Sequence, residues 1–501
     1  MTQAKEKITE EERFTEDEKK TYREQRRTKC SFKSRDEYLE HELSIMAPKR
    51  WKLNLPKRDF NFEYEDLVPA LAATIGKIVM VSAVVAAFAD RYGLSQAFVI
   101  ENTRFEMLIA AVLFCILFSG VLNPLSNLAG THGPMIPMIP LIVASGGHPL
   151  ALGVMVGFFG VLLSATNGGS KLVKLTGVGV RGGLLIYLGA VGMISQVKAL
   201  GAWAASINMP YVSFAVLFST ILIYAYLAKV GKRWMSIPIG SAVALVVALA
   251  LGAPLNFITE PGMPHLSPLY WWGETTGWKM GLPGLNEFIA VTPFAILAVA
   301  MWSPDFLGHR VFQELNYPKK ADKVLMNVDD TMAVCSLRQI VGTLLGGGNL
   351  ASSWGTYMIP AAIAKRPIPA GAILTGVMCI FAVVLGYPMD LAVWPPVLRV
   401  ALLVGVFLPL LEAGMQMIKD NNNSQSAGVC LFASALVNPV FGWSLTMLLD
   451  NTGLIGDFQR RKDLHRMDRL IIPLLAFVIC VGSMAAVGML PGIPAIIPSF
   501  R

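Results

Sequence analysis

Residues 134–146 read PMIPMIPLIVASG, an apolar run that begins with proline. The run is too short to cross a bilayer, because a membrane-spanning helix needs about 20 residues. Residues 352–364 read SSWGTYMIPAAIA and form a second run of the same kind. Short runs broken by proline or glycine, at matching positions in two halves of a chain, are typical of membrane proteins built from an inverted repeat with a central binding site. These two runs therefore predict both the fold and the place of a site.

The composition agrees with a membrane protein. Of the 501 residues, 54% are hydrophobic and 15% are charged, whereas soluble domains carry about 25% charged residues. The net charge of +8 lies mostly in a polar N-terminal tail and in short loops, which follows the positive-inside rule and does not indicate nucleic-acid binding. The six cysteines are scattered without the spacing of a metal site or a disulfide framework. We expect no metal and no enzymatic activity.

Apolar runs recur along most of the chain, and we interpret them as fourteen segments, seven on each side of a polar connector. The predicted segments are 66–90, 105–123, 133–145, 147–166, 176–197, 211–229 and 233–253, then 286–308, 331–348, 352–364, 367–386, 391–415, 427–448 and 469–491. The two short runs are the third segment of each half. An odd number of segments per half gives the halves opposite orientations, so we predict an all-α polytopic fold with a seven-plus-seven inverted repeat. The loop 457–469 is strongly basic although simple alternation would place it outside, so we expect 427–448, broken at Pro439, to turn back within the membrane.

The division into parts follows from these segments. We predict a polar tail (1–62), a first membrane repeat (63–253), a connector (254–285) and a second membrane repeat (286–501). The basic loops KLVK, KVGKR, PKKADK and AKRP all fall on the same side of the predicted membrane as the tail. Positively charged loops face the cytoplasm. We therefore expect a multi-pass membrane protein with a cytoplasmic N-terminus.

Each short run opens with residues suited to ligand binding. Before the first run, Pro134 suits a first helical position, and Gly133, beside His132, lets a ligand approach the backbone. The start of a half-helix offers unpaired N–H groups to an anion. Before the second run, Asn349 offers an amide, and Ser352 or Ser353 can cap the helix. Two facing helix starts would bind a small anion without any buried arginine, although ordinary capping explains either motif taken alone.

The stretch WSPDFLGHRV, residues 302–311, adds a carboxylate and an imidazole. Asp305 and His309 are four residues apart and share a helical face. Charged residues within membrane segments are costly and indicate function, and this pair could carry a coupling proton, or Asp305 a sodium ion. The alternative is that Ser303 and Pro304 start a helix at the cytoplasmic surface, which Asp305 then stabilises.

Five further charged residues lie in or beside apolar runs: Lys77, Asp90, Arg338, Arg399 and Glu412. Asp90 and Arg338 are near the ends of their runs, where snorkelling to the interface explains them. Lys77, Arg399 and Glu412 lie deeper. Arg399 and Glu412 are too far apart to touch within one helix, so each requires a partner elsewhere.

The plan resembles the superfamily of uracil/xanthine permeases, sulfate permeases and bicarbonate or anion exchangers. The segment from Asp305 to His309 is similar to the Glu-x-x-Gly-His segment of uracil permeases, whose acid contacts the base and whose histidine supports proton coupling. Asn349 is similar to the Asn-rich start of their tenth helix, and Gly133-Pro134 to the Gly-Pro of sulfate permeases and anion exchangers. The resemblance implies a core domain (segments 1–4 and 8–11), a gate domain (segments 5–7 and 12–14) and a homodimer.

Two departures weaken the likeness to nucleobase carriers. The second glutamate of uracil permeases is replaced here by Ser353 or Trp354, and their Gly-Ser-Ser-Phe-Ala segment by His132-Gly-Pro. We therefore expect a distinct, poorly described bacterial branch.

The sequence predicts an ion-coupled secondary transporter of a small anion such as sulfate, bicarbonate or a carboxylate, without a cofactor beyond a coupling proton or sodium ion. The predicted substrate-binding residues are Asp305, His132, Gly133, Pro134, Asn349, Ser352, Ser353 and Trp354. The alternatives are a proton-coupled nucleobase permease and, less favoured, a passive channel or membrane sensor.

Overall fold

The computed structural model describes residues 32–46, 48–126, 130–166, 168–317, 324–352, 370–418, 420–456 and 464–497. The first half contains the helices α1 (Arg35–Ile45), α2 (Leu67–Tyr92), α3 (Gln96–Ile109), α4 (Ile139–Ala144), α5 (Pro149–Ala165), α6 (Gly168–Thr176), α7 (Val178–Ser206), α8 (Pro210–Lys229) and α9 (Ser236–Ala250). A π-helical stretch, Ala110–Leu122, continues α3. The strand β1 (Gly130–Thr131) and a 3-10 helix, Gly133–Met138, precede α4.

The second half begins with a short helix of the connector. Its elements are α10 (Pro268–Trp271), α11 (Leu285–Asn316), α12 (Val328–Leu345), β2 (Ala351–Ser352), α13 (Ala370–Leu385), α14 (Tyr387–Val393), α15 (Pro395–Leu402), α16 (Leu408–Met417), α17 (Asn421–Leu436), α18 (Pro439–Thr452) and α19 (Arg466–Ala486). A π-helical turn, Leu403–Phe407, joins α15 to α16. The elements agree with most of the predicted segments.

Length and hydropathy identify the membrane spans. Within the described residues, seven helices are long and apolar enough to cross a bilayer, or eight if one bent pair counts as a span. That pair is α13 and α14, bent by 89° at Gly386, whose φ of +78° is readily adopted by glycine. The chain is therefore a polytopic α-helical membrane protein, and the count of fourteen segments stays a prediction.

Two local expectations have clear outcomes. The helix α11 begins at Leu285 and continues to Asn316, so Asp305 lies well inside it. The alternative in which Asp305 stabilises a helix start is therefore wrong. The predicted interruption near Pro439 is confirmed, because α17 ends at Leu436 and the Asn438 side chain caps α18 by accepting from the Phe441 amide. Whether this pair turns back within the membrane stays a prediction.

The helices pack in two groups, as a core and a gate domain require. In the first group α5 packs against α11 and α12, and α2 packs against α3 and α13. In the second group α7 packs against α16 and α17, and α9 packs against α8 and α15. The closest approach in the first group uses Gly153, Gly157 and Gly160 of α5, whose missing side chains leave room for Thr343, Ile340 and Ser336 of α12. Small residues of this kind let membrane helices approach closely.

Part of the predicted polar tail is folded against the membrane domain. Arg35 of α1 bonds to Glu63 and Glu65 just before α2, at 2.7 Å each. Arg50 bonds to Asp330 at the start of α12, at 2.6 Å. These ion pairs fix residues 35–65 to one end of the helix bundle.

Candidate functional site

The starts of the two short runs lie side by side. β1 and β2 pair in antiparallel fashion, with Gly130 opposite Ser352 and Thr131 opposite Ala351. The pairing is extended by the His132 amide, which donates to the Leu350 carbonyl at 2.8 Å. The strands are short because each leads directly into a short run. This crossing point joins the two halves of the chain at the place that the sequence predicts for a site.

The helix α11 contacts this crossing point through two side chains. The Ser352 hydroxyl donates to Asp305 Oδ2 at 2.7 Å, and Trp302 Nε1 donates to the Ala351 carbonyl at 2.8 Å. Residues 302 and 305 are three positions apart, so both side chains reach β2 from one helical face. The structure therefore brings Asp305 and Ser352, two of the predicted site residues, into direct contact.

His132 and Asn349 present polar groups that the described protein does not satisfy. Both residues are buried, with 1% of their surface exposed. The His132 ring lies near the Ala298 backbone, but neither ring nitrogen makes a well-formed hydrogen bond with described residues. The Asn349 amide oxygen and nitrogen likewise have no partner among them. Because unpaired buried polar groups are costly, such groups are candidates for contact with a ligand.

Gly133 and Pro134 have a packing role. A Cβ added at Gly133 would lie 2.9 Å from Val406 Cγ1 and 3.1 Å from Met80 Cε. The space beside Gly133 is therefore filled by protein, and its approach to a ligand stays a prediction. Pro134 lies in the first turn as expected, but that turn is 3-10, so the run continues as an α-helix only over the six residues of α4.

Three predicted site residues are not described in full. Ser353 and Trp354 lie outside the described residues. His309 is described by its backbone, which is helical and one turn beyond Asp305 in α11. Their proposed roles rest on the sequence.

Residues 13–497 match the family described as "Protein of unknown function (DUF3360)". The chain belongs to this family. No curated protein matches the sequence. The family description names no activity, so the activity is argued from the site.

Solved structures show the fold of this DUF3360 chain. A murine Slc26a9 anion transporter in the inward-facing state has a TM-score of 0.55 at 11% identity, covering 88% of this chain and 74% of that one. An SLC26A9 structure has a TM-score of 0.54 at 12% identity, with coverages of 78% and 66%. The transmembrane domain of a cyanobacterium bicarbonate transporter, BicA, is also similar, at a TM-score of 0.45 and 12% identity, with coverages of 84% and 99%. The first two establish that the chain shares the SLC26 transmembrane fold.

The residues that hold the segment 346–352 in place carry no local sequence signal. Asn102 of α3 bonds to the Gly346 carbonyl at 2.9 Å and to the Gly348 amide at 3.2 Å. Gln339 of α12 donates to the Asn349 carbonyl at 3.0 Å and accepts from the Ala351 amide. Trp278 of the connector also donates to the Gly346 carbonyl, at 2.9 Å. Polar residues of three separate elements thus fix the backbone that leads to Ser352.

The interpretation of Arg338 as a snorkelling residue is wrong. Its side chain is 2% exposed and pairs at 3.1 Å with Glu106 of α3, which is 1% exposed. Glu106 Oε1 accepts from the backbone N–H of Asn349 at 2.9 Å, so the pair adjoins the candidate site. A buried arginine therefore adjoins the candidate site, in addition to the two helix starts expected from the sequence. Glu106 was overlooked because it lies at the start of its apolar run.

Arg399 and Glu412 each have a partner elsewhere in the fold, as their separation in the sequence requires. Arg399 donates to Gln196 at 2.9 Å and lies 3.4 Å from Asp90, whose side chain is 63% exposed. Glu412 accepts from Tyr224 at 3.0 Å and pairs with Arg233. These contacts lie between helices of the gate group and α2, away from Asp305.

Proposed function

We propose that the protein is an ion-coupled secondary transporter that moves a small anion, such as sulfate, bicarbonate or a carboxylate, by alternating access. The observation that carries the proposal is the crossing of β1 and β2 in the protein interior, with the unsatisfied His132 ring and Asn349 amide beside the Asp305–Ser352 hydrogen bond. A buried site with several unpaired donors suits an anion that brings its own acceptors.

Asp305 is the proposed coupling residue, with His309 as the group that exchanges its proton or with sodium bound at Asp305. A carboxylate inside a membrane helix and beside the proposed substrate site can interact with both the coupling ion and the substrate anion. The fold shared with anion transporters supports this class. We further propose a bacterial inner-membrane location, a cytoplasmic N-terminus, the four-part division at residues 62, 253 and 285, and a homodimer.

The test is uptake into proteoliposomes of labelled sulfate, bicarbonate, formate and uracil, each with an imposed proton or sodium gradient. We expect saturable, gradient-driven uptake of at least one anion, and Asp305→Asn should abolish it without loss of folded protein. Asp390→Asn is the control, because Asp390 is a buried carboxylate away from β2 that accepts from the Ile258 amide at 3.0 Å, a role that asparagine can keep. Uptake of uracil alone would favour the nucleobase permease, and non-saturating flux would favour a channel.

A further inference from the structure

Arg338 is buried with fewer partners than a guanidinium requires. Its Nη2 pairs with Glu106 Oε2 at 3.1 Å, and its Nε has no hydrogen-bond partner within the described residues. Arginine carries five N–H donors and stays protonated. Burying such a cation is expensive unless it is paired and fully hydrogen-bonded. The vacant donor therefore points to an additional acceptor from a ligand.

Glu106 links this cation to the candidate substrate site. Its Oε2 accepts from Arg338 Nη2, and its Oε1 accepts from the backbone N–H of Asn349 at 2.9 Å. The backbone lies directly against this carboxylate, because a side chain at Gly347 would collide with it. Glu106 therefore connects Arg338 to the backbone of Asn349, the residue whose side-chain amide is a candidate contact for the anion.

The charges around Glu106 favour replacement of its carboxylate by a substrate anion at Arg338. Two cations act on it, Arg338 of α12 and the buried Lys77 of α2. Two further titratable residues lie on the other helices packed against α3, Cys379 of α13 and Asp390 of α14. The Asp390 carboxylate accepts a hydrogen bond from the Ile258 amide. This group contains two basic side chains, Arg338 and Lys77, and one acidic side chain, Glu106. A bound anion would add a second negative group beside them, or would compete with Glu106 for Arg338.

On the basis of the proposed transport function, we propose that Arg338 binds the transported anion, and that Glu106, displaced from Arg338 by that anion, takes up one proton. A carboxylate that loses its cation in a water-poor interior is stabilised by protonation. The proton enters with the anion and leaves when the anion departs and Glu106 pairs with Arg338 again. Because binding free energies are reciprocal, protons must then tighten anion binding.

The experiment measures the KM of counterflow exchange at equal pH on both sides of the proteoliposome, from about pH 5.5 to about pH 7.5. Sulfate and formate are the probes, because their charges barely change over that range. We expect the wild-type KM to fall towards low pH, by up to about tenfold per unit. Glu106→Gln should have a low KM that no longer depends on pH. Arg338→Gln should raise the KM at least tenfold.

Glu101→Gln and Arg104→Gln are the matched controls, because this pair lies on the same helix at 3.1 Å, with Arg104 nearly as buried as Arg338. Both should keep the wild-type pH dependence. If Arg338→Gln does not fold, the double variant Glu106→Gln/Arg338→Gln, which removes both charges together, replaces it and should show the same raised KM.

A wild-type pH dependence in Glu106→Gln, or a wild-type KM after loss of Arg338, would overturn the inference and leave the transport function intact. Absence of saturable exchange of either anion, together with no uptake in the wider panel, would instead overturn the proposed function and this inference with it.

Discussion

The Ser352 hydroxyl donates a 2.7 Å hydrogen bond to Oδ2 of Asp305, which joins β2 to the interior of α11 across 47 positions of sequence. One turn earlier, Trp302 binds the carbonyl of Ala351, the neighbour of Ser352. The orientation of the Asp305 carboxylate therefore depends on the position of β2. Any movement of the second short run relative to α11 must break or re-form these two bonds.

Removal of the Ser352 hydroxyl should impair coupled uptake. Hydrogen bonds to charged groups contribute about 1.5–3 kcal/mol, so Ser352→Ala should lower gradient-driven uptake by roughly tenfold or more. Ser352→Thr keeps the hydroxyl and should retain most of the activity. The measurement is initial uptake rate in proteoliposomes at matched protein content. Wild-type rates in Ser352→Ala would show that the bond does not position Asp305.

A methyl group at Gly133 should destabilise the start of the first short run. The added Cβ would press against Val406 at 2.9 Å and Met80 at 3.1 Å, and overpacking of a core costs about 1–3 kcal/mol. Gly76→Ala on α2 is the control, because a Cβ there has no atom within 4 Å, and alanine favours a helix by up to about 1 kcal/mol. Thermal unfolding in detergent should show a lower Tm for Gly133→Ala and an unchanged or higher Tm for Gly76→Ala.

The features that could be predicted are those that depend on residues close together in the sequence. Helix positions follow from apolar runs, and the breaks at Gly386 and Pro439 follow from residues that favour them. Asp305 was found because a carboxylate stands out within an apolar run. Glu106 and Arg338 were not recognised as a pair, because they are 232 positions apart and no local pattern relates them. The pairing of β1 with β2 likewise depends on how distant helices pack, which no local pattern specifies.

The attachment of α1 should depend on pH through Glu65. The hydrogen bond from Arg35 lowers the pKa of Glu65 from 4.5 to about 2. Because the folded pKa is below the unfolded one, the attachment is fully stabilised above about pH 4.5 and is lost as the pH falls towards about 2. Hydrogen exchange of the α1 amides, corrected for intrinsic rates, should show protection at pH 7 that weakens below about pH 4.

Arg35→Gln should reduce that protection already at neutral pH, because it removes both ion pairs of α1. Lys171→Gln is the control, since it removes an exposed bridge to Asp468 at 3.4 Å on a different part of the protein. Equal protection of α1 in Arg35→Gln and wild type would contradict the role of these pairs.

Substitutions at Gly157 of α5 and Ile340 of α12 should be energetically coupled, because the two residues are in direct contact. A methyl group at Gly157 would collide with Ile340 Cγ1 and lie 3.0 Å from the Ser336 carbonyl, so Gly157→Ala should lower the free energy of unfolding by about 1–3 kcal/mol. Ile340→Ala removes the colliding atoms and should offset much of this loss in the double variant. A double-mutant cycle measured by thermal or denaturant unfolding should give a favourable coupling of about 0.5–3 kcal/mol. Strict additivity of the two substitutions would mean that α5 and α12 do not pack through this glycine.

Since α12 carries Arg338 and Gln339, the same variants should also shift the KM for the transported anion, and the double variant should return it towards the wild-type value.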